Sequence, residues 1–115
     1  RLFNQSDTNV TWNFGDGTEA ISTEVAVTAS RIVVEAIRNA IRHGQADKIG
    51  VEATRSRNRV EIVIRDDGRG VNPSEVPNDC FGIRAMTGRA TLVGGSLQVV
   101  SKPGGPTAVT LTLDC

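Results

Sequence analysis

The apolar residues of the chain recur with two different spacings, and these spacings predict its secondary structure. Over residues 23–43 they follow the three-and-four spacing of a helix that buries one face. Ser22 or Thr23 is suited to cap the start of this helix, and Gly44 is suited to end it. A second, shorter helical pattern covers residues 83–95 and closes with two glycines.

Five short segments are rich in β-branched residues and alternate apolar with polar positions, which is typical of strands. They cover residues 9–15, 48–55, 59–66, 96–101 and 108–114. The polar turn SRN joins the second and third segments as a hairpin, and KPGGPT joins the last two. The order β-α-β-β-loop-α-β-β predicts an α+β fold, a two-layer α/β sandwich whose mixed sheet is covered on one face by helices.

Composition and charge narrow the class of protein. The 115 residues are 38% hydrophobic and carry 13 basic and 13 acidic side chains, so we expect a single globular domain over residues 1–115. Balanced charge gives no reason to expect a nucleic-acid or membrane-surface partner. No apolar run approaches the ~20 residues of a membrane span. The chain begins with Arg1, which suggests a domain excised from a longer protein.

The two cysteines offer no metal or redox motif. Cys80 and Cys115 lie far apart in the chain, and their spacing matches neither a zinc site nor a C-x-x-C pair. We therefore expect two reduced thiols, as in a cytosolic protein.

A column of polar residues follows one side of the first predicted helix. Glu35, Asn39 and His43 recur every fourth residue, and at about 100° per residue each step advances only roughly 40°. The column therefore lies between the buried arc and the outward-facing Arg38 and Arg42. A carboxylate at such a boundary can act as a general base, and an amide oxygen suits Mg²⁺. Taken alone, a solvated helix edge is the better explanation.

A second group of candidate residues follows the third predicted strand. Asp66, Gly68 and Gly70 form the pattern D-x-G-x-G where that strand ends. An ordinary strand-to-loop turn explains the pattern by itself. A carboxylate accepts hydrogen bonds only, so it also suits an amino group such as that of adenine, with glycines allowing close approach. The segment lacks the features of a Walker A loop, a dinucleotide-binding fingerprint or an EF-hand.

The third candidate is the start of the second predicted helix. A long loop rich in Gly, Pro and Asn spans residues 67–82, and loops of this length within a compact domain are often functional. Gly82 stands directly before the helix, where unpaired N–H groups and the helix dipole favour phosphate. A simple helix cap followed by surface arginines explains this segment equally well on its own.

The order of the three groups resembles the GHKL ATP-binding fold, also called the Bergerat fold. The segments RIVVEAIRNAIRHG, RDDGRG and FGIRAMTGRATLVGGSLQVVSKPGG are similar to the catalytic domains of bacterial sensor histidine kinases of the nitrate-sensor-like subfamily. The resemblance covers residues 31–113, and the preceding residues match only as the expected first strand and helix start.

The resemblance implies a role for each residue of the first two groups. Glu35 matches the glutamate taken as the general base, and Asn39 matches the asparagine that coordinates Mg²⁺. His43 matches the basic position near the phosphates. Asp66 matches the aspartate that bonds the adenine amine, with Gly68 and Gly70 shaping the pocket and hinging the lid.

The resemblance also implies roles for the later segments. Gly82 and its neighbour Ile83 match the second glycine box at the phosphates, and Thr107 matches a threonine near adenine. Residues 71–81 correspond to a short ATP lid. The chain departs from the family pattern at Pro106, which has no N–H to donate, and this departure concerns the role of Thr107 and not the fold.

The function implied by the resemblance is that of a histidine protein kinase in a two-component system. The domain would use ATP and Mg²⁺ and transfer the γ-phosphoryl group to a histidine on a separate, upstream helical dimerisation domain. A response regulator would be the indirect partner, and the domain would be the cytoplasmic part of a membrane-bound sensor. His43 lies in the nucleotide site by this alignment and is not the phosphorylated histidine.

Two other functions stay open. The first is another enzyme of the same fold, such as an anti-sigma-factor-type serine kinase or a hydrolysing ATPase. The short lid and the second helix argue against the large ATPases of the chaperone or topoisomerase kind. The second is a catalytically silent nucleotide-binding module; the intact Glu35 and Asn39 argue against it, because a module that only binds has no need to keep a base.

Overall fold

The computed structural model describes residues 8–43, 45–68, 82–101 and 105–114. Within these ranges the element order follows the predicted one, with a short 3-10 turn that the sequence pattern did not indicate. The elements are β1 (Asn9–Phe14), the 3-10 turn (Thr18–Ala20), α1 (Thr23–Arg42), β2 (Lys48–Ser56), β3 (Arg59–Asp66), α2 (Ile83–Leu92), β4 (Ser96–Ser101) and β5 (Thr107–Asp114).

The strands form one mixed sheet with the order β1-β2-β3-β5-β4. β1 and β2 are parallel because α1 connects them as a crossover, whereas the remaining neighbours are antiparallel. β3 is the central strand, and its last residue, Asp66, pairs with Ile49 on one side and Thr107 on the other. The sheet register thus brings Asp66 and Thr107 together, although they are far apart in the sequence.

Both helices pack on the same face of the sheet, which confirms the predicted two-layer fold. Aliphatic side chains fill the interface, since aromatic residues are scarce in this chain. Burial of this apolar surface is the main favourable term in folding. The largest fully buried side chains are Ile32, Ile37, Val51, Val60, Ile49, Ile64, Met86, Leu111 and Leu113. On the other face of the sheet, Arg65 and Glu52 form an exposed ion pair at 3.8 Å.

Helix α1 begins as the sequence predicts. The Ser22 hydroxyl accepts a hydrogen bond from the Val25 N–H at 3.2 Å, which satisfies one of the free donors of the first turn. At the other end the His43 N–H donates to the Asn39 carbonyl at 2.9 Å. Gly44, the predicted C-terminal cap, lies outside the described residues, as do Cys80 and Cys115.

Two glycines next to or within α2 give a matched test of this packing. A Cβ atom on Gly95 would lie 2.6 Å from the Thr112 carbonyl oxygen and 3.0 Å from Leu113 Cδ2, whereas one on Gly88 would meet nothing within 4 Å. We expect Gly95→Ala to lower the free energy of unfolding by about 1–3 kcal/mol, since backbone must move. We expect Gly88→Ala to raise it by about 0.5–1 kcal/mol through helix propensity.

Urea denaturation followed by circular dichroism measures both values. A Gly95→Ala domain as stable as the wild type would contradict the close approach of this residue to β5.

Candidate functional site

The polar column on α1 lies at the boundary between core and solvent, as its spacing predicts. Glu35, Asn39 and His43 are each partly buried. Ala36 and Ala40 beside them are buried in the core, whereas the flanking arginines are exposed. The three side chains therefore lie on the edge of the helix layer.

Glu35 contacts the start of α2, which joins two of the sequence motifs. Gly82 precedes this helix with a left-handed φ of 66° and makes no side-chain cap bond. A Cβ built on Gly82 would lie 3.6 Å from Glu35 Cδ and 3.8 Å from Glu35 Oε2. The Glu35 carboxylate thus borders the N-terminal end of α2, whose first residue is the half-buried Ile83. Glycine suits this position because other residues rarely adopt positive φ.

Asp66 is a buried carboxylate at the end of the central strand. Only 9% of the residue is exposed, and its Oδ1 atom accepts the Gly68 N–H at 2.8 Å. Burial raises the pKa of Asp66 above its ordinary value of 3.8, and the negative charge of Asp67 raises it further. Hydrogen bonds from the backbone of Gly68 and Thr107 oppose this rise in pKa without cancelling it.

Thr107 adjoins Asp66 despite the proline that precedes it. Pro106 lacks an N–H, but Thr107 is the sheet partner of Asp66, and its backbone helps to lower the pKa of the Asp66 carboxyl. The Thr107 hydroxyl is also 2.7 Å from the Ser101 hydroxyl. The departure from the family pattern therefore leaves Thr107 beside Asp66. Gly70 and the predicted lid, residues 71–81, lie outside the described residues.

Asp67 makes contacts that sequence reasoning missed. Its Oδ1 atom accepts the N–H groups of Asp47 at 2.9 Å and Lys48 at 3.0 Å. The Lys48 bond, followed by the Asp47 bond, holds the pKa of this exposed carboxyl below its ordinary value. The signal available in the sequence was the doubled aspartate before a glycine, because aspartates in turns often accept backbone N–H groups.

Two cavities lie at opposite ends of β2. One, of about 730 Å³, is lined by residues that include Lys48, Asp66, Asp67 and Pro106. The other, of about 860 Å³, lies between β1 and the first half of α1, beside the half-exposed rings of Trp12 and Phe14. Its lining contains none of the predicted site residues. Asp66 therefore lines the first cavity, whereas Glu35, Asn39, His43 and Gly82 line neither of the two.

Two kinds of feature are absent from the described part of the chain. It contains no cluster of three or more His, Cys, Asp or Glu side chains able to hold a metal ion. Nor do the described ranges include a helix with the length and apolar character needed to cross a membrane.

The chain is similar to known proteins in both sequence and structure. Residues 24–115 match the family model described as histidine kinase-, DNA gyrase B-, and HSP90-like ATPase. Sensor histidine kinase LiaS of Bacillus subtilis is 31% identical over 101 residues, which make up 88% of this chain and 28% of that protein. Nitrate/nitrite sensor protein NarQ of Escherichia coli is 30% identical over 112 residues, 96% of this chain and 20% of that protein.

The chain thus spans only about a quarter of the length of these relatives. Among solved structures, the ATP binding domain of PrrB from Mycobacterium tuberculosis superposes with a TM-score of 0.72 at 27% identity, covering 94% of this chain and 80% of that one. These findings confirm the predicted Bergerat fold, the resemblance to sensor histidine kinases and ATP as the ligand of the family. Since the family model covers most of its length, the chain belongs to the histidine kinase-, DNA gyrase B- and HSP90-like ATPases.

Proposed function

We propose that this chain is the ATP-binding catalytic domain of a sensor histidine kinase. It transfers the γ-phosphoryl group of ATP to a histidine on a separate, upstream helical dimerisation domain. A response regulator is the indirect partner, which receives the phosphoryl group from that histidine. The observation that carries the proposal is the pairing of two contacts, Glu35 against Gly82 and Asp66 against Thr107. Each contact joins segments that the sequence motifs predict to border one nucleotide.

Asp66 binds the adenine end of the nucleotide in this proposal. The Gly68 N–H bond fixes the carboxylate beside β5, where Thr107 pairs with Asp66, and a carboxylate has about four acceptor positions. The remaining positions suit the exocyclic amine of adenine, which donates two N–H bonds. Gly68 and Gly70 allow the base to approach the backbone.

The start of α2 binds the phosphate end. Gly82 has no side chain, and Ile83 begins the helix, so its first N–H groups are free of a side-chain cap. Such a helix end favours an anion. His43 contributes a donor from the end of α1, and residues 71–81 act as the lid that excludes water.

Asn39 is the residue that would hold Mg²⁺. Its amide oxygen is a ligand of the kind that this cation prefers, and Mg²⁺ usually takes one or two protein ligands together with phosphates and water. Bound Mg²⁺ would neutralise part of the negative charge of the phosphates.

Glu35 is the general base of the transfer. Its carboxylate borders the helix end at which the phosphates are proposed to bind. As an imidazole nitrogen of the upstream domain attacks the γ-phosphorus, Glu35 accepts the proton from the other ring nitrogen. The bond between the γ-phosphorus and the bridging oxygen breaks, and ADP leaves with its electron pair.

The names of the relatives favour a histidine kinase over other enzymes of this fold. LiaS is a sensor histidine kinase, and NarQ is a nitrate/nitrite sensor protein. The resemblance of the motifs to sensor histidine kinases implies in addition that the domain is the cytoplasmic part of a membrane-bound sensor, and we include this location in the proposal. An anti-sigma-factor-type serine kinase and a hydrolysing ATPase share the fold and form the second candidate function.

Two substitutions separate nucleotide binding from transfer. Asp66→Asn introduces donors opposite the adenine amine, so we expect ATP affinity to fall by about tenfold or more, as for loss of a hydrogen bond to a charged group. Glu35→Gln keeps the size of the side chain but removes the base. We expect it to keep ATP affinity within about threefold and to slow transfer by about 10²–10⁴-fold.

Calorimetry with Mg·ATP measures affinity, and labelled ATP mixed with the native upstream helical segment measures transfer. An equal loss of affinity in both variants would contradict the assigned roles. Label on a histidine supports the kinase, whereas steady release of phosphate alone favours the ATPase. A folded wild-type domain that does not bind millimolar ATP would overturn the proposal.

The raised pKa of Asp66 predicts a pH-dependent cost in stability. Above the raised pKa the carboxyl is ionised in both states, and its burial destabilises the native domain fully. As pH falls from the raised pKa to 3.8, the native state takes up its proton first, so this destabilisation disappears. We therefore expect the stability of Asp66→Asn, relative to wild type, to be greatest at neutral pH and to shrink below it.

Thermal denaturation of both proteins between pH 7 and pH 3 tests this expectation. A difference in melting temperature that is independent of pH would show that burial does not raise the pKa of Asp66.

A further inference from the structure

The connection from α1 to β2, described over residues 45–47, is held by hydrogen bonds from the start of β1 and from Thr8 just before it. The buried Thr8 hydroxyl donates to the Ala46 carbonyl at 3.0 Å, and the Asn9 N–H donates to the Asp47 carbonyl at 2.9 Å. Gln45 in this connection has a left-handed φ of 52°, which non-glycine residues seldom adopt. Such a conformation persists only where surrounding contacts fix it.

A further set of bonds reaches the connection from β3. Asp67 Oδ1 accepts two N–H groups, from Asp47 and Lys48, and the Asp67 N–H donates to the Lys48 carbonyl at 3.2 Å. A single carboxylate oxygen thus fixes two successive peptide groups of the connection. The connection is therefore tied to the end of the strand that carries Asp66.

The same connection is bonded to the last turns of α1. The Ala46 N–H donates to the Ala40 carbonyl at 3.0 Å, and Ala40 follows Asn39 directly. A displacement of the connection would therefore be passed to the part of α1 that carries Asn39 and His43. Asp66 and Asp67 are adjacent, so the other half of the site would stay with β3.

We propose that Asp67 is a positioning residue of the nucleotide site, a role that rests on the proposed function. Its carboxylate holds the end of α1 at a fixed distance from the end of β3. It thereby sets the spacing between the residues of the phosphate end, Asn39 and His43, and the adenine acceptor, Asp66. Asp67 itself does not touch the nucleotide.

The geometry predicts which replacements preserve this role. Both N–H groups bond the same oxygen, Oδ1, and an asparagine amide has one carbonyl oxygen at the equivalent position. Asp67→Asn therefore keeps both hydrogen bonds. Asp67→Ala removes both, and Asp67→Gln displaces the accepting oxygen by the length of one methylene. Val60→Ala, at the opposite end of β3, is the matched control because it weakens the core without touching the connection.

The first measurement needs no nucleotide. Hydrogen exchange by NMR reports protection of the Asp47 and Lys48 amides in the domain alone. We expect Asp67→Ala to speed their exchange selectively by about tenfold or more, since the local bonds are lost. We expect the Asp47 and Lys48 amides to exchange at nearly the wild-type rate in Asp67→Asn. In Val60→Ala we expect the rate at these two amides to change no more than the rate at other amides of the sheet.

The second measurement is calorimetry with Mg·ATP at neutral pH. We expect affinity to fall about tenfold for Asp67→Ala and Asp67→Gln, a loss typical of residues that orient a ligand-binding group. We expect Asp67→Asn and Val60→Ala to stay within about threefold of the wild type. Rescue by asparagine distinguishes positioning from a general loss of stability, which Val60→Ala also produces.

Each contrary outcome has a distinct meaning. Unchanged affinity in Asp67→Ala, with faster exchange of the two amides, would overturn the positioning role. Fast exchange in Asp67→Asn would overturn the contact assigned to Oδ1. If Asp67→Ala does not fold, equal affinity of the asparagine and glutamine variants would overturn the role. A wild-type domain that fails to bind Mg·ATP contradicts the proposed function itself.

Discussion

The candidate site depends on the burial of one charged group, the carboxylate of Asp66. A carboxylate taken out of water destabilises a protein unless hydrogen bonds compensate, and here backbone groups of Gly68 and Thr107 do so only in part. The pKa of Asp66 is therefore raised, chiefly by burial. A buried ionisable group that lowers the stability of the fold, yet is fixed in position, is typical of a binding site. Its position follows from the sheet register, which aligns β3 and β5 at this residue.

The fold assembles the rest of the site around this strand end. The crossover through α1 returns the chain to β2 beside the end of β3, where the bonds of Asp67 join the connection to the sheet. Packing of both helices on one sheet face then brings Glu35 against Gly82. The large apolar cavity near Trp12 and Phe14 lies away from these contacts and takes no part in them.

Much of the fold was predictable because its local signals are strong. The bounds of β3 and β4 and the cap at Ser22 agree with the sequence pattern, since alternation and capping chemistry are local properties. The exposure of Trp12 at 51% and Phe14 at 62% was not predictable from the sequence. It arises because β1 is an edge strand of the sheet, which the helices do not fully cover. The contacts of Asp67 and the meeting of Glu35 with Gly82 depend on the tertiary fold. The resemblance in motifs identifies the candidate site residues. Which residues lie next to them in space follows only from the sheet register and the packing of the helices.

We propose that the nucleotide binds at the Asp66 end of the sheet. Chemical-shift mapping of backbone amides by NMR, during titration of the domain with Mg·ATP, tests it most directly. We expect the largest changes at Asn39, Gly68, Gly82 and Thr107, and little change at Trp12 and Phe14. The largest changes around Trp12 and Phe14, with none at Gly68 and Thr107, would contradict the account.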